Sequence, residues 1–272
     1  MTHDDPRFRG IRQLLGDRHF DQLANASVCV VGLGGVGSWS VEALARSGIG
    51  EITLVDLDEV CVTNINRQIH ALSDTVGRSK AELLAERVRA INPACNVRAI
   101  KRFLSELTAA EIFSSRYNGV LDTIDRNENK ALLLAECVRR SIPVVTVGSG
   151  GDRTDTRSAT VTDLARTIHD PLLQIVRKNL RQQYGFPKGE RARFGIPCVY
   201  APLQRNDRDA SECGSDSASR KSCNDGLGSA VFVTGALGFM AAGEIVRILG
   251  EPLPEVLYPW CEQQQDSRSL PA

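Results

Sequence analysis

The sequence predicts an α/β fold: a Rossmann-like, doubly wound, mostly parallel sheet with an irregular C-terminal half and a long final helix. Three observations carry this. Short apolar runs alternate with stretches of helical periodicity through the first half. A G-x-G-x-x-G pattern, Gly32, Gly34 and Gly37, stands between the first run and the first helical stretch. An acid, Asp56, closes the second run.

In order, SVCVVGL (27–33) reads as a buried strand and 36–47 as a helix. EITLVD (51–56) is a second strand. Residues 78–91 carry Ala81, Leu84, Val88 and Ile91 at helical spacing, and Asn92-Pro93 stops that helix. NVRAI (96–100) and GVLDTI (119–124) suit further strands, with a helix between them and another over 128–140. IPVVTVG (142–148) ends the series. Strands separated by helices imply a parallel sheet covered on both faces. Beyond it, 156–162 is expected as a strand, 170–184 as a helix, 204–222 as a polar mobile loop and 228–249 as the last helix. One domain over 1–272 is expected. Its nucleotide-binding half spans roughly residues 25–150, and a substrate-binding and dimerisation half follows over 151–272.

Composition narrows the class. An apolar share of 42% and a charged share of 24% are those of a globular chain with a full core. Zero net charge excludes whole-molecule attraction to nucleic acid but leaves room for a local patch. The polar N-terminus argues against a secretory signal. The weakly polar stretch 229–243 is short and glycine-interrupted, so a buried helix, a cytoplasmic location and no membrane partner are expected. The eight cysteines form no C-x-x-C pair, against a zinc ribbon or a thioredoxin-like site. Cys29 and Cys137 fall in apolar elements and read as small hydrophobes.

The chemistry gathers at the glycines. Gly32 permits the tight turn, Gly34 lets phosphate approach the backbone, and Gly37 allows close helix–strand packing; Gly35 lies in the same loop. Asp56, 19 residues after Gly37, stands where a carboxylate holds ribose hydroxyls. The next segment offers Asn64, Arg67, Gln68 and Lys80, a polar and cationic set more suited to a triphosphate than to a dinucleotide bridge. LDTID places Asp122 and Asp125 at the carboxyl edge of the sheet. Asp125 suits Mg²⁺ against phosphates; Asp122 is expected at the same nucleotide site, with a cap or turn residue as its alternative reading. Between residues 175 and 197, six bases (Arg177, Lys178, Arg181, Lys188, Arg191, Arg193) face one acid, with Tyr184, Phe186 and Phe194 interleaved to stack on bases or to pack. His70 and His169 read as structural.

GLGGVG, Asp56-x-Asp58, NINRQ, Lys80 and the LDTID strand end together resemble the adenylation domain of ubiquitin-activating and sulfur-carrier-activating (ThiF/MoeB/HesA-type) enzymes. The resemblance implies ATP and Mg²⁺, with Asp56 on ribose, Arg67 and Lys80 on phosphates, and Asp125 on the metal. It also implies a homodimer in which an N-terminal arginine, Arg12 in RQLLG or its neighbours Arg7 and Arg9, reaches the partner's ATP. The stretches GGVGSWSVEALARSGIGEITLVDLDEVCVTNINRQIHAL, VTDLARTIHDPL and CNDGLGSAVFVTGALGF are similar to the bacterial tRNA threonylcarbamoyladenosine dehydratase family. That likeness implies activation of a carboxylate on a tRNA-borne modified adenosine, closure to a cyclic hydantoin, and a chemical role for Cys223, with Cys213 as rival. A cysteine-desulfurase-type sulfur-transfer partner is a further implied contact. Activation of a small sulfur-carrier protein, nucleotide binding without turnover, and hydride transfer are the alternatives.

Overall fold

The computed structural model describes residues 5–203, 228–252, 254 and 256–261. Its frame is a seven-stranded sheet: β1 (Ser27–Val31), β2 (Glu51–Val55), β3 (Asn96–Ile100), β4 (Gly119–Asp122), β5 (Val144–Val147), β6 (Thr160–Asp163) and β7 (Pro197–Tyr200). The spatial order is β3-β2-β1-β4-β5-β7-β6, parallel throughout except for the antiparallel edge pair β6–β7.

The order follows from the burial pattern. Four consecutive residues of β1 and of β2 are buried, and all four of β4 and of β5 are, so these strands carry continuous apolar runs, as expected where helices cover both faces. From β1 the chain winds one way through α3 (Gly35–Arg46) to β2 and through α4 (Lys80–Ile91) to β3. It then returns to lay β4 on the other side of β1, and α6 (Asn127–Arg139) leads on to β5. The reversal between β1 and β4 is the switch point where doubly wound sheets bind ligands, beyond the carboxyl ends of the strands.

Two short helices, α1 (Arg9–Leu15) and α2 (Asp17–Ala24), precede β1 and add to the expected elements. The helix expected between β3 and β4 contracts to a four-residue turn, α5 (Ala109–Ile112). β7 is absent from the expected elements. It is only four residues long and opens on Pro197, which lacks the donor that marks an ordinary strand start. The expected loop 204–222 lies outside the described residues.

The C-terminal half docks through two helices. α7 (Pro171–Gln183) is capped by Asp170, whose Oδ1 accepts from the Leu173 N–H at 3.0 Å. α8 (Val231–Gly250) lies along α3 and passes the length and composition test for a membrane span. Its close approach to α3 has a specific cause: a Cβ on Gly238 would stand 2.6 Å from the Val36 carbonyl oxygen. Ser40 donates to the Gly238 carbonyl at 3.0 Å, and Gly235 faces the Trp39 ring. Val233, Leu237, Ala241, Ala242 and Ile245 are buried there, while Phe232 and Phe239 stay exposed.

Candidate nucleotide site at the sheet switch point

The glycine loop leaves β1 with Gly32 at φ +89°, a conformation that side chains resist. Space forbids a side chain as well. A Cβ on Gly32 would lie 2.9 Å from the Thr123 carbonyl oxygen, and one on Gly37 only 2.0 Å from the Gly32 oxygen. The Thr123 hydroxyl donates to the Val31 carbonyl at 3.1 Å and to that of Gly32 at 2.5 Å, stitching the loop to the end of β4. Gly34 caps α3 without any side-chain bond, so the first N–H groups of the helix point outward as an anion site.

Asp56 braces this loop from β2. Its Oδ2 accepts the Leu33 N–H at 2.6 Å, and its Oδ1 the Asp58 N–H at 2.8 Å. Burial raises its pKa; the Lys80 charge and those two N–H groups pull the other way. Lys80, buried at the start of α4, reaches back to Asp58 at 3.0 Å. Asn64 accepts the Cys61 N–H at 3.1 Å and is itself buried. Arg67 donates to the Thr63 carbonyl at 2.8 Å and to Asn66 at 3.0 Å, and its Cδ lies 3.4 Å from where a Cβ on Gly35 would stand. Gln68 is buried with its Nε2 over Gly34, and its Oε1 has no hydrogen-bond partner. A buried amide with one unpaired end beside a phosphate-type loop is a group prepared for a ligand.

At the end of β4 the two aspartates part company. Asp122 is fully buried against Lys130, also fully buried, at 2.9 Å; Thr146 donates to the same carboxylate at 2.7 Å. The expectation that Asp122 contacts nucleotide is therefore corrected: its oxygens are taken up inside the sheet, and it acts as the strand-end residue weighed against that role. Asp125 is exposed, and no hydrogen bond or ion pair engages it among the described residues. It follows Ile124, whose backbone nitrogen is 3.1 Å from the hypothetical Gly32 Cβ, so it emerges beside the loop.

Other expectations are redrawn. Arg12 pairs with Asp17 at 2.9 Å and Asp21 at 3.7 Å and lies over the Phe20 ring, while Arg7 is held by Asp5. Arg177 bonds the Thr167 hydroxyl and is half-buried; Arg181 bonds the Pro187 carbonyl and lies over the Phe194 ring. Phe186 and Phe194 pack on each other and on Trp260, so they are core rather than stacking platforms. This leaves Lys178, Lys188, Arg191 and Arg193 as the exposed cations of the basic segment. Cys213 and Cys223 lie outside the described residues. His70 is buried with neither ring nitrogen bonded, and burial, then the charges of Lys80 and Arg87, push its pKa down to about 4.

Sequence reasoning missed the roles of four side chains. Lys130 shares a helical stripe with Leu133, Leu134 and Cys137, and a lysine on an apolar stripe was the available signal. Arg153 and Asp170 form a second sealed pair at 2.7 Å that also anchors the Ser149 N–H after β5. Thr234, at the start of α8, sits over Gly35 and Gly150.

A glycine loop at the switch point, a braced acid on the second strand and basic side chains on the following crossover define a nucleotide-binding α/β protein equipped for a phosphate-rich ligand. The chain belongs to the ThiF family, whose model matches residues 9–261. It is 44% identical over 247 residues to the tRNA threonylcarbamoyladenosine dehydratase of Escherichia coli, covering 89% of this chain and 92% of that protein. To the dehydratase of Bacillus subtilis it is 37% identical over 235 residues, 86% of this chain and 91% of that one. The crystal structure of the Escherichia coli enzyme, TcdA, in complex with ATP superposes with a TM-score of 0.78 at 39% identity, covering 97% of this chain and 96% of that chain.

Proposed function

We propose that this ThiF-family protein is an ATP-dependent tRNA threonylcarbamoyladenosine dehydratase. It activates the carboxylate of the modified adenosine with ATP and closes it to the cyclic form with net loss of one water. The carrying observation is the convergence on one glycine loop of the open α3 N-terminus, Arg67, the Lys80–Asp58 pair and the unengaged Asp125. The near full-length identity with named dehydratases supports the choice of substrate.

A carboxylate is a poor electrophile. Its attack on the α-phosphorus of ATP expels pyrophosphate and converts the carboxylate oxygen into part of a good leaving group. Negative charge grows on the phosphates in that step, and in this reading the α3 N–H groups, Arg67 and Lys80 stabilise it. Asp56 is the proposed partner of the ribose hydroxyls, its carboxylate oriented by the Leu33 and Asp58 N–H groups. The ureido nitrogen of the same modification then attacks the activated carbonyl, losing its proton as AMP leaves, and gains the advantage of an intramolecular reaction. Cys223 is the residue the resemblance assigns to a thioester relay; a Cys223→Ala variant that keeps full turnover selects the direct route.

Mg²⁺ fits Asp125. Among the described residues no cluster of three His, Cys, Asp or Glu side chains can cage a metal, whereas a single hard carboxylate beside phosphates is how Mg²⁺ is commonly held. When bound, the ion neutralises phosphate charge. Arg12 serves the partner's site in a homodimer by exchanging its Asp17 and Asp21 contacts for phosphate. A tRNA substrate favours a cytoplasmic location and makes Lys178, Lys188, Arg191 and Arg193 the proposed backbone contacts; a sulfur-transfer partner remains part of the resemblance alone.

The test is AMP release from ATP with threonylcarbamoyladenosine-containing tRNA, beside unmodified tRNA and an Asp125→Ala control. AMP that requires the modified tRNA and disappears in the control is the expected result. Pyrophosphate exchange that instead requires a small carrier protein would overturn the substrate assignment.

A further inference from the structure

The end of β4 is held by a network that the adenylation chemistry does not itself need. Lys130 Nζ lies 2.9 Å from Asp122 Oδ2, 3.1 Å from the Ile124 carbonyl oxygen and 3.5 Å from that of Asp122. The second oxygen of Asp122 accepts the Ile124 N–H at 3.1 Å, and Thr146 of β5 donates to the first at 2.7 Å. Thr123, between them, ties the same strand end to Val31 and Gly32. Residues 122–124 are thus fixed from inside the sheet, and the next residue is Asp125.

Stability alone is a poor reason for this arrangement. Taking an ammonium and a carboxylate fully out of water costs more than their attraction reliably returns, and apolar groups of the same volume usually serve the fold as well. The surroundings would accept them, since Leu133, Leu134 and Cys137, on the same helix as Lys130, are fully buried in the apolar cluster on that face of the sheet. An ammonium does what a methyl group cannot: it satisfies a carboxylate and two strand-end carbonyls at once, at the point where the β4 ladder stops.

We infer that Lys130 and Asp122 are positioning residues, an inner clamp that sets the backbone ahead of Asp125 so that its carboxylate meets the metal-bearing phosphates at the glycine loop. This rests on the reading of Asp125 as the Mg²⁺ ligand. It adds that the ligand's geometry is set by an ion pair sealed behind it rather than by the loop that carries it. Partners behind a metal ligand typically matter by ten- to a hundredfold in metal affinity, roughly the size of effect expected here.

The experiment measures melting temperature and, by calorimetry, the affinity for ATP with and without Mg²⁺. It compares wild type, Asp125→Ala, Lys130→Met, and the triple variant Asp122→Leu, Lys130→Met, Thr146→Val. Lys130→Met alone should lower the melting temperature, and the triple variant, with no stranded charge, should regain most of it. The triple variant should nevertheless match Asp125→Ala in losing about tenfold of the Mg²⁺-dependent tightening of ATP, with metal-free ATP affinity within about twofold of wild type. A stable triple variant with wild-type Mg²⁺ response, beside an Asp125→Ala protein that has lost it, overturns the clamp and leaves the metal reading standing. An unaltered Mg²⁺ response in Asp125→Ala overturns both. Thr146→Val alone, which keeps the ion pair, guards against a triple variant that fails to fold. It should weaken the Mg²⁺ response by about two- to threefold while lowering the melting temperature less than Lys130→Met does, and an unchanged Mg²⁺ response also overturns the clamp.

Discussion

Two lysine–aspartate pairs flank the switch point, and they differ in the one variable that decides what such a pair can do. Lys80–Asp58, at the β2 edge, spans 3.0 Å with the aspartate side chain half exposed. Lys130–Asp122, at the end of β4, spans 2.9 Å with both side chains at 0% exposure. Distance is the same; solvent is not. At the β2 edge, water already competes for the aspartate, so an arriving phosphate can take over the lysine at small cost. Behind β4, neither partner can let go without leaving a bare charge in the core. The first pair is a binding group in waiting, and the second is a fixture.

Substitution separates them most sharply. Lys130→Met should cost about 3–5 kcal/mol in a urea titration, the penalty for stranding a buried carboxylate. A cost under about 1 kcal/mol would mean that water reaches Asp122 and would dissolve the contrast.

His70 extends the comparison to protons. It lies under the electrostatic influence of Lys80 and Arg87 and is buried without a partner, with its pKa pushed down to about 4. In the unfolded chain the imidazole takes its proton near pH 6.5, so below that the unfolded state binds more protons and the fold loses stability. The contribution is complete above about pH 6.5 and declines toward about pH 4, by at most about 3 kcal/mol. Chemical denaturation of a His70→Phe variant across this window should show a correspondingly flatter acid limb; an unchanged slope would assign the acid sensitivity to other groups.

Lys80→Met should leave stability within about 1 kcal/mol while lowering ATP affinity about tenfold, roughly 1.4 kcal/mol. Should stability fall instead and ATP affinity hold, the two pairs would have exchanged roles. The smallest effects belong to the exposed cations. Reversing Lys178, Lys188, Arg191 and Arg193 one at a time should each weaken tRNA binding by under about 1 kcal/mol and lessen its salt dependence, with ATP affinity unchanged. Wild-type affinity with wild-type salt dependence in the quadruple variant would remove this segment from the interface.

The same contrast explains what could be read from sequence. Gly32 and Gly37 were legible because a tight turn at φ +89° and a 2.0 Å clash tolerate no other residue, and such demands leave a pattern. Asp56, Arg67 and Lys80 were legible because they sit at fixed offsets from that pattern. Lys130 was not, since a lysine in a helix ordinarily reads as solvated, and only its place among Leu133, Leu134 and Cys137 hints otherwise. Its partner Asp122 was misassigned for the same reason: strand-end position was visible, but the direction of the side chain was not. Arg177 and Arg181 looked like surface charge until Thr167 and Phe194 were found against them, contacts with residues 10 and 13 positions away. The sheet order beyond β5 also escaped, because a four-residue strand opening on proline carries too little periodicity to announce itself.

The central claim is that the open face of this site activates a carboxylate on tRNA. Mass spectrometry of nucleosides from threonylcarbamoyladenosine-containing tRNA, incubated with the protein and Mg-ATP, tests it directly. The account predicts an ATP-dependent loss of one water from the modified nucleoside, absent with Asp125→Ala. An unchanged nucleoside, from protein that binds ATP normally, would contradict it.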